Sequence, residues 1–344
     1  MAWFSKKEEG SRTIRRDSLK RKIIERIMWF FSFAYFLFYW ENNAIDVTRF
    51  ERTDSRIPKS LDGLTIVQIS DLHAKRFGRD NARLLKKVKA QKPDLIAITG
   101  DLIDARRPDV EFARELVAQL VALAPVLYVS GNHEGEFIEP YREKIFQAIR
   151  EGGAILLDSK SVEITRDENG RALVAPVVGN EERDVTPNSV FIAGIKDPVA
   201  TYSSWVSVYS QYRVNSEIVQ DLLDATPVRR EQYSILLTHR PEHFPRYARR
   251  GFDLALAGHA HGGQFRFPFF LPNGLYAPDQ GLFPKRTSGL YELDGSSEIV
   301  SRGLGPSAVP TRLFNRPNLV VCALRSASAR SNAKDDESAA NRLD

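Results

Sequence analysis

The segment Gly258-His259-Ala260-His261-Gly262-Gly263-Gln264 follows directly on the apolar run Leu254-Ala255-Leu256-Ala257. In extended backbone, positions i and i+2 point to the same side. His259 and His261 can therefore face one point in space at the end of a strand. The flanking glycines allow a sharp turn and leave room for something bulky. Two polar residues in a turn would read the same way, so the other histidines decide between a turn and a metal site.

The chain has 6 histidines. His73, His133 and His239, like the opening pair, each come just after a short apolar run. Ile66-Val67-Gln68-Ile69-Ser70 precedes Asp71-Leu72-His73. Val126-Leu127-Tyr128-Val129 precedes Ser130-Gly131-Asn132-His133-Glu134, and Ile235-Leu236-Leu237 precedes Thr238-His239. A further run, Leu95-Ile96-Ala97-Ile98, ends in Thr99-Gly100-Asp101-Leu102-Ile103-Asp104. Continuous apolar strands of this kind are buried on both faces and alternate with helices. Open α/β sheets carry their chemistry beyond the carboxyl ends of such strands. Asp71, His73, Asp101, Asn132, His133, His239, His259 and His261 are thus expected at one rim.

Carboxylates, an amide oxygen and imidazoles make a mixed oxygen and nitrogen donor set. It suits Mn²⁺, Fe or Zn²⁺, manganese first, better than Ca²⁺ or Mg²⁺ alone. So many donors exceed what one ion with an open position needs. They fit two divalent ions that share a carboxylate, about 3.5–4 Å apart.

Taken in order, Asp71-x-His73, Gly100-Asp101-x-x-Asp104, Gly131-Asn132-His133-Glu134, Thr238-His239 and Gly258-His259-Ala260-His261 resemble the successive motifs of the calcineurin-like metallophosphoesterases. The Gly-Gly-Gln that follows resembles the bacterial membrane-linked or exported branch, and is similar to the Chlamydia-type UDP-2,3-diacylglucosamine pyrophosphatases. The likeness runs from about residue 64 to residue 324. It implies an α/β layered sandwich of two mostly mixed β-sheets flanked by helices. It also implies roles for individual residues. Asp71, His73 and His261 would bind one metal, Asn132, His239 and His259 the other, and Asp101 both. His133 would stand by the phosphate as a catalytic residue, oriented by Asp104. Glu134 departs from the pattern, since many members carry Asp there; it lies outside the ligand set. The implied reaction is hydrolysis of a phosphodiester or pyrophosphate by water activated between two cations. Alternatives are UDP-2,3-diacylglucosamine pyrophosphatase activity, a phosphomonoesterase, or a non-catalytic scaffold of the same fold. Such scaffolds usually lack some ligands or the histidine equivalent to His133, and none is missing here.

Away from the motifs, the charge is uneven. The net charge is +5. Residues 1–26 hold nine Lys/Arg and four Asp/Glu, which leaves 40 of each sign in the remainder. A nucleic-acid enzyme would carry the excess on its folded domain. Here it sits on an N-terminal arm, which points to a membrane surface instead. The aromatic-rich apolar run 27–40 follows. As a helix, it spans about 21 Å against a bilayer core of roughly 30 Å, so Ile23 and Ile24 must join it to cross. Membrane association through residues 23–40 follows. A signal anchor would put the catalytic domain outside the cytoplasm. An interfacial helix would leave it on the cytoplasmic face, and a cleaved signal is the third reading. Residues 1–43 read as basic arm and membrane anchor, 44–325 as the catalytic domain, and 326–344 as a polar disordered tail. The partners expected are a phosphorylated substrate, lipid included, and the membrane. Nothing in the sequence specifies a protein partner.

Residues 44–53 alternate as a strand. Residues 78–90, 109–123 and 140–150 read as helices. From 154 on, short runs at 154–157, 162–164, 173–178 and 190–193 predict hairpin-linked strands of a second sheet, with Asp167-Glu168-Asn169-Gly170 as a hairpin tip. The segment with Tyr202, Trp205, Tyr209 and Tyr212 reads as a cover over the site, a lipid-facing face or plain sheet packing. Pro241 argues against helix beside His243, which reads as a surface residue or one behind the ligands. Phe267, Phe269 and Phe270, in a proline-rich loop, form a membrane-facing or acyl-binding patch if exposed and core if buried. Arg76, Arg79, Lys285 and Arg286 read as solvated charges. Runs at 290–293, 298–301 and 318–324 close the domain around the single Cys322, a core thiol.

Overall fold

The computed structural model describes residues 2–177, 186–201, 216–267, 269–306 and 311–328. A first sheet holds six strands: β1 (Asp46–Asp54), β2 (Thr65–Ile69), β3 (Leu95–Thr99), β4 (Val126–Val129), β5 (Ile155–Leu156) and β15 (Asn318–Ser326). Their order is β1-β15-β2-β3-β4-β5, parallel from β2 to β5, with β15 antiparallel to β2. The second sheet has seven: β6 (Lys160–Arg166), β7 (Ala172–Pro176), β8 (Val190–Gly194), β9 (Ser234–Leu237), β10 (Leu254–Ala257), β13 (Gly289–Leu293) and β14 (Ser296–Val300). Within it, β8, β9, β10 and β14 run parallel. A small ribbon pairs β11 (Tyr276–Ala277) with β12 (Gly281–Leu282).

Side-chain alternation builds the layers. In β2, Ile66 faces the second sheet, while Val67 and Ile69 face helices. The same split separates Leu95 and Ala97 from Ile96 and Ile98 in β3. Strands β9 and β10 answer with Ile235, Leu237, Leu254 and Leu256, so the two sheets enclose one apolar layer with Cys322 inside it. Helices α2 (Ala82–Lys89), α3 (Val110–Val121) and α5 (Tyr141–Glu151) cover the first sheet through Leu84, Leu116 and Ile145. Helices α6 (Ser216–Asp224) and α7 (Phe244–Arg250) cover the second through Val219, Leu223 and Tyr247. The result is a four-layer helix–sheet–sheet–helix sandwich with two mixed sheets.

Three expectations change. Residues 154–157 do not join the second sheet: β5 pairs in parallel with β4 and widens the first, because helix α5 returns the chain beside the strand it left. Pro241 begins a 3₁₀ turn, Pro241–His243, that runs into α7. Proline is tolerated at a first turn, where its missing N–H is not needed. His243 is buried there, 3.8 Å from a Glu242 oxygen, not on the surface. Arg286 is no freely solvated charge either: its guanidinium lies over the Phe244 ring and faces the buried Glu298 at 4.0 Å. The aromatic segment 202–215 and the tail from 329 lie outside the described residues.

The N-terminal helix α1 runs unbroken from Ala2–Asn43. Its Lys20–Asn43 portion, 24 residues, is long and apolar enough to cross a membrane, and none of it is buried in the protein. At 1.5 Å per residue it spans about 36 Å, so the shortness of the 27–40 run is made up on both sides.

Candidate metal centre

Each candidate ligand stands just past the carboxyl end of a central strand. Asp71 and His73 follow β2, and Asp101 follows β3. Asn132 opens the one-turn helix α4 (Asn132–Gly135) after β4. His239 follows β9, and His259 and His261 follow β10. Parallel order within each sheet puts these ends on one edge.

The loops are tightly wound. Asp71, His73, Asp101, His259 and His261 all have φ between 48° and 65°, a region that non-glycine residues rarely visit. Such backbone persists only where its surroundings over-determine it, and here they do. The Asp71 N–H donates to the Gly100 carbonyl at 3.1 Å and the His73 N–H to that of Asp101 at 3.0 Å. The His259 N–H donates to Asp71 Oδ1 at 2.8 Å, and the His133 N–H to Asp101 Oδ1 at 2.9 Å. Each aspartate thus spends one oxygen on a neighbouring loop and keeps Oδ2 free of backbone. Two glycines are required for contact. A Cβ on Gly131 would sit 2.1 Å from Asp101 Oδ1, and one on Gly258 1.8 Å from Ser70 Oγ.

Two groups of donor atoms result. Those of Asp71, His73, Asp101 and His261 all lie within 4.8 Å of one another, as do those of Asp101, His239 and His259. Asp101 belongs to both groups. Asn132 Oδ1 joins the second, 3.1 Å from His239 Nε2.

The hydrogen bonds fix which nitrogens are free. His239 Nδ1 lies 2.8 Å from the Thr99 carbonyl and must carry the hydrogen, leaving a lone pair on Nε2. His259 Nε2 lies 2.8 Å from Asp279 Oδ2 and must carry its hydrogen, leaving Nδ1 free. Those two free nitrogens face each other at 3.2 Å. Asp101 Oδ2 is 3.3 Å from the same His239 Nε2. In the first group, His73 Nε2 meets His261 Nε2 at 3.2 Å, and Asp71 Oδ2 is buried without a hydrogen-bond partner. In the second group acceptors converge with no hydrogen between them and need a cation, and in the first the orphaned Asp71 Oδ2 does, so the residues fit two metal ions. The electrostatics agree. Burial lowers the His239 pKa, but the adjacent Asp101 carboxylate outweighs it and raises it to about 10. Burial raises the Asp101 pKa, yet His239 and His133 hold it well below the usual carboxylate range. The second group thus calls for positive charge. His73 and His261 are held well below the ordinary histidine value, by burial first and then by cationic neighbours.

His133 stands beside this pair of groups without entering either, its ring 4.4 Å from that of His73. Its Nδ1 accepts from the Ala105 N–H at 3.0 Å, while Asp104 Oδ1 lies 3.7 Å away, beyond hydrogen-bond reach. Arg76 pairs with Asp109, and Arg79 is exposed.

Several residues at the site gave no signal in the sequence. Glu134 is buried, and its carboxylate accepts from the N–H groups of Asp101, Gly131 and Ile103 at 3.0, 2.8 and 3.2 Å. It clamps the two loops that carry Asp101 and Asn132. Burial first, then the Asp101 charge, pushes its pKa up to about 7. Asp279, from the ribbon loop, orients His259 and is itself held by Arg240, which also pairs with Asp197 and Glu242. Asp279, Glu242 and His259 form a third close group. With Arg240 between its carboxylates, that group is an ion-pair network rather than another metal site. Arg312, buried, places Nη2 3.3 Å from His261 Nδ1. Asp279, Arg240 and Arg312 sit outside the strand-end motifs, and Glu134, though inside one, finds its backbone partners on the β3 loop only in the folded chain.

The family profile described as Calcineurin-like phosphoesterase matches residues 64–263. An uncharacterized metallophosphoesterase of Bacillus subtilis, YkuE, is 28% identical over 294 residues, covering 84% of this chain and 88% of its own. The UDP-2,3-diacylglucosamine pyrophosphatase LpxG of Chlamydia muridarum is 25% identical over 318 residues, covering 82% of this chain and 91% of its own. Among solved structures, a dimetal phosphatase from Danio rerio matches with a TM-score of 0.40 and 17% identity, over 71% of this chain and 88% of that one.

Proposed function

The chain belongs to the calcineurin-like phosphoesterase family, and from that premise we propose a hydrolase that uses two divalent cations to cleave a phosphodiester or pyrophosphate carried by a membrane lipid. The observation that carries the reading is Asp101, one carboxylate shared by two donor groups. Asp71, His73 and His261 would hold one cation, Asn132, His239 and His259 the other, and Asp101 both. When bound, the pair supplies Lewis acidity, bringing the pKa of water towards neutrality and drawing charge from phosphoryl oxygens. A set of carboxylate, amide and imidazole donors favours manganese, with iron and zinc next.

The protein's own part is proton handling and charge. His133 keeps its hydrogen on Nε2, because Nδ1 accepts from Ala105. A doubly protonated ring needs a new partner at Nδ1, and Asp104 Oδ1 at 3.7 Å is the carboxylate within a small ring rotation. His133 would then give the Nε2 proton to the leaving oxygen, with Asp104 holding the charged ring. Beside His73 a cavity of about 510 Å³ is lined by Arg107 and Arg312, cations suited to a phosphate group, together with Lys75, Asp104 and Asp109. The lipid assignment draws on helix α1 and on the name of the LpxG relative. The basic residues in the first half of α1 favour the cytoplasmic side for the N-terminus, which would put the catalytic domain outside.

The test is hydrolysis by the purified full chain with Mn²⁺. Bis-nitrophenyl phosphate, nitrophenyl phosphate, UDP-diacylglucosamine and lipid phosphates separate diester, monoester and pyrophosphate activity. Asp101→Asn should lose both metal and turnover. His133→Ala should keep its metal and lose about 10²–10⁴-fold in rate, less with nitrophenol, which leaves without a proton. Loss of metal from His133→Ala would contradict the role given to it.

A further inference from the structure

Helix α1 does not end freely. Its last turn is bonded to the segment beside the metal centre. Asn42 Oδ1 accepts from the Arg312 N–H at 2.7 Å, and Asn42 Nδ2 donates to the Arg312 carbonyl at 3.2 Å. Glu41 Oε1 accepts from the Asn315 N–H at 2.6 Å. The Arg316 guanidinium lies 4.3 Å over the Trp40 ring. Above these contacts, helix and segment part to enclose a cavity of about 650 Å³. Ala34, Leu37 and Phe38 wall it on the helix side, and Leu313 and Phe314 on the other. Ala34, Leu37, Phe38 and Glu41 follow the i, i+3, i+4, i+7 spacing of one helix face, so the wall is continuous for about 10 Å.

Arg312 lines both this largely apolar cleft and the polar cavity beside His73. Its guanidinium is buried and donates to the carbonyls of Gly305 and Arg302 at 2.6 and 2.7 Å. Among the described residues, no carboxylate forms an ion pair with it. An anion in the adjoining cavity would pair with it there. A neighbouring loop also exposes apolar side chains. Phe269 and Phe270 are 92% and 85% exposed, and their loop is joined to the 313–314 segment through the Phe265–Leu313 bridge and the Phe267–Phe314 ring contact at 6.0 Å.

A largely apolar slot along helix α1, sharing Arg312 with a polar chamber that holds Arg107 and Lys75 beside the candidate metal centre, has the polarity of an amphiphile. We propose that the cleft between Ala34–Leu37–Phe38 and Leu313–Phe314 is a binding site for one acyl chain of a membrane lipid. The headgroup phosphate of that lipid would occupy the cavity between Arg312 and His73, and the lipid would enter sideways from the bilayer. The inference rests on the lipid phosphohydrolase reading and adds the place and direction of substrate binding.

The test uses the full chain in nanodiscs with Mn²⁺ and nitrophenyl alkyl phosphodiesters from butyl to dodecyl. Full burial of a methylene is worth up to roughly fourfold in binding. The wild type should therefore gain at least about tenfold in kcat/KM from butyl to octyl, then level off as the cleft fills. Ala34→Trp, which fills the cleft, should flatten this dependence while metal content stays unchanged. Leu313→Trp, from the opposite wall, should do the same and serves if Ala34→Trp does not fold. Phe36→Leu, on the far face of α1, should retain the wild-type dependence. Partition into the nanodisc is common to all variants, so chain-length dependence that survives in both tryptophan variants overturns the proposal. Hydrolysis of every ester at one rate by the wild type would also overturn it and leave the hydrolase reading standing. No hydrolysis of any ester would remove both.

Discussion

His259 has two ring nitrogens, and Asp279 decides which one points inward. The Asp279 carboxylate, partly buried, is kept well below the usual carboxylate range by its bonds to His259 and Arg240, which outweigh burial. It therefore stays charged and fixes the tautomer that leaves Nδ1 free. Outer groups of this kind tune metal affinity by about 10–100-fold. Asp279→Ala should weaken metal binding by that factor, read by manganese titration, with Asp279→Asn partly restored because its amide oxygen still accepts from Nε2–H. Unchanged affinity in Asp279→Ala would remove Asp279 from the site. Glu134 acts on the backbone instead. Cutting it to alanine leaves three buried N–H groups without an acceptor, at about 1–3 kcal/mol each. Glu134→Ala should therefore unfold at clearly lower urea concentration than Glu134→Gln, which keeps one acceptor oxygen. Similar midpoints for the two would show that the clamp contributes nothing.

At the scale of elements, the site depends on how closely strand ends can approach. The β3 and β4 loops touch through Gly131, whose missing side chain leaves space for Asp101 Oδ1. The two sheets meet through Thr99, whose carbonyl accepts from His239, and through buried Gln68, which donates to Thr99 Oγ1 and to the Ala257 carbonyl at 2.9 and 2.8 Å. Gly131→Ala must push Asp101 or its loop aside. A displacement near 1 Å costs about 10²-fold in rate, and overpacking of this kind costs about 1–3 kcal/mol in stability. The expected result is a folded protein with at least that loss of turnover. Wild-type turnover would mean the loops have slack that the contacts do not suggest.

Across the whole molecule, helix α1 and the catalytic sandwich are bonded to each other. Asn42 and Glu41 tie α1 to Arg312 and Asn315, and Arg312 reaches His261. A chain starting at residue 20 should keep these bonds, whereas one starting at residue 44 should lose them. At about 1 kcal/mol per hydrogen bond, the shorter chain should melt roughly 3–6 °C lower and lose activity on lipid esters. Equal melting temperatures would make α1 a mere tether.

That the candidate donor residues gather at one rim was legible because strand-end chemistry leaves a local signature: an apolar run, then Asp, His or Asn beside glycine. Period-two burial and the order of motifs carried the layered fold for the same reason, since both are written in neighbouring residues. What the linear chain does not encode locally is partnership across distance. That β5 widens the first sheet, that Arg240 holds Asp279 against His259, and that Arg312 joins His261 to helix α1 all depend on segments far apart in sequence packing together. The sequence by itself determined which atoms could bind metal, because residue type and spacing set donor chemistry. Only the tertiary structure decided which nitrogen each histidine offers, and what lies behind it, because hydrogen bonds to distant carbonyls and carboxylates set the tautomer.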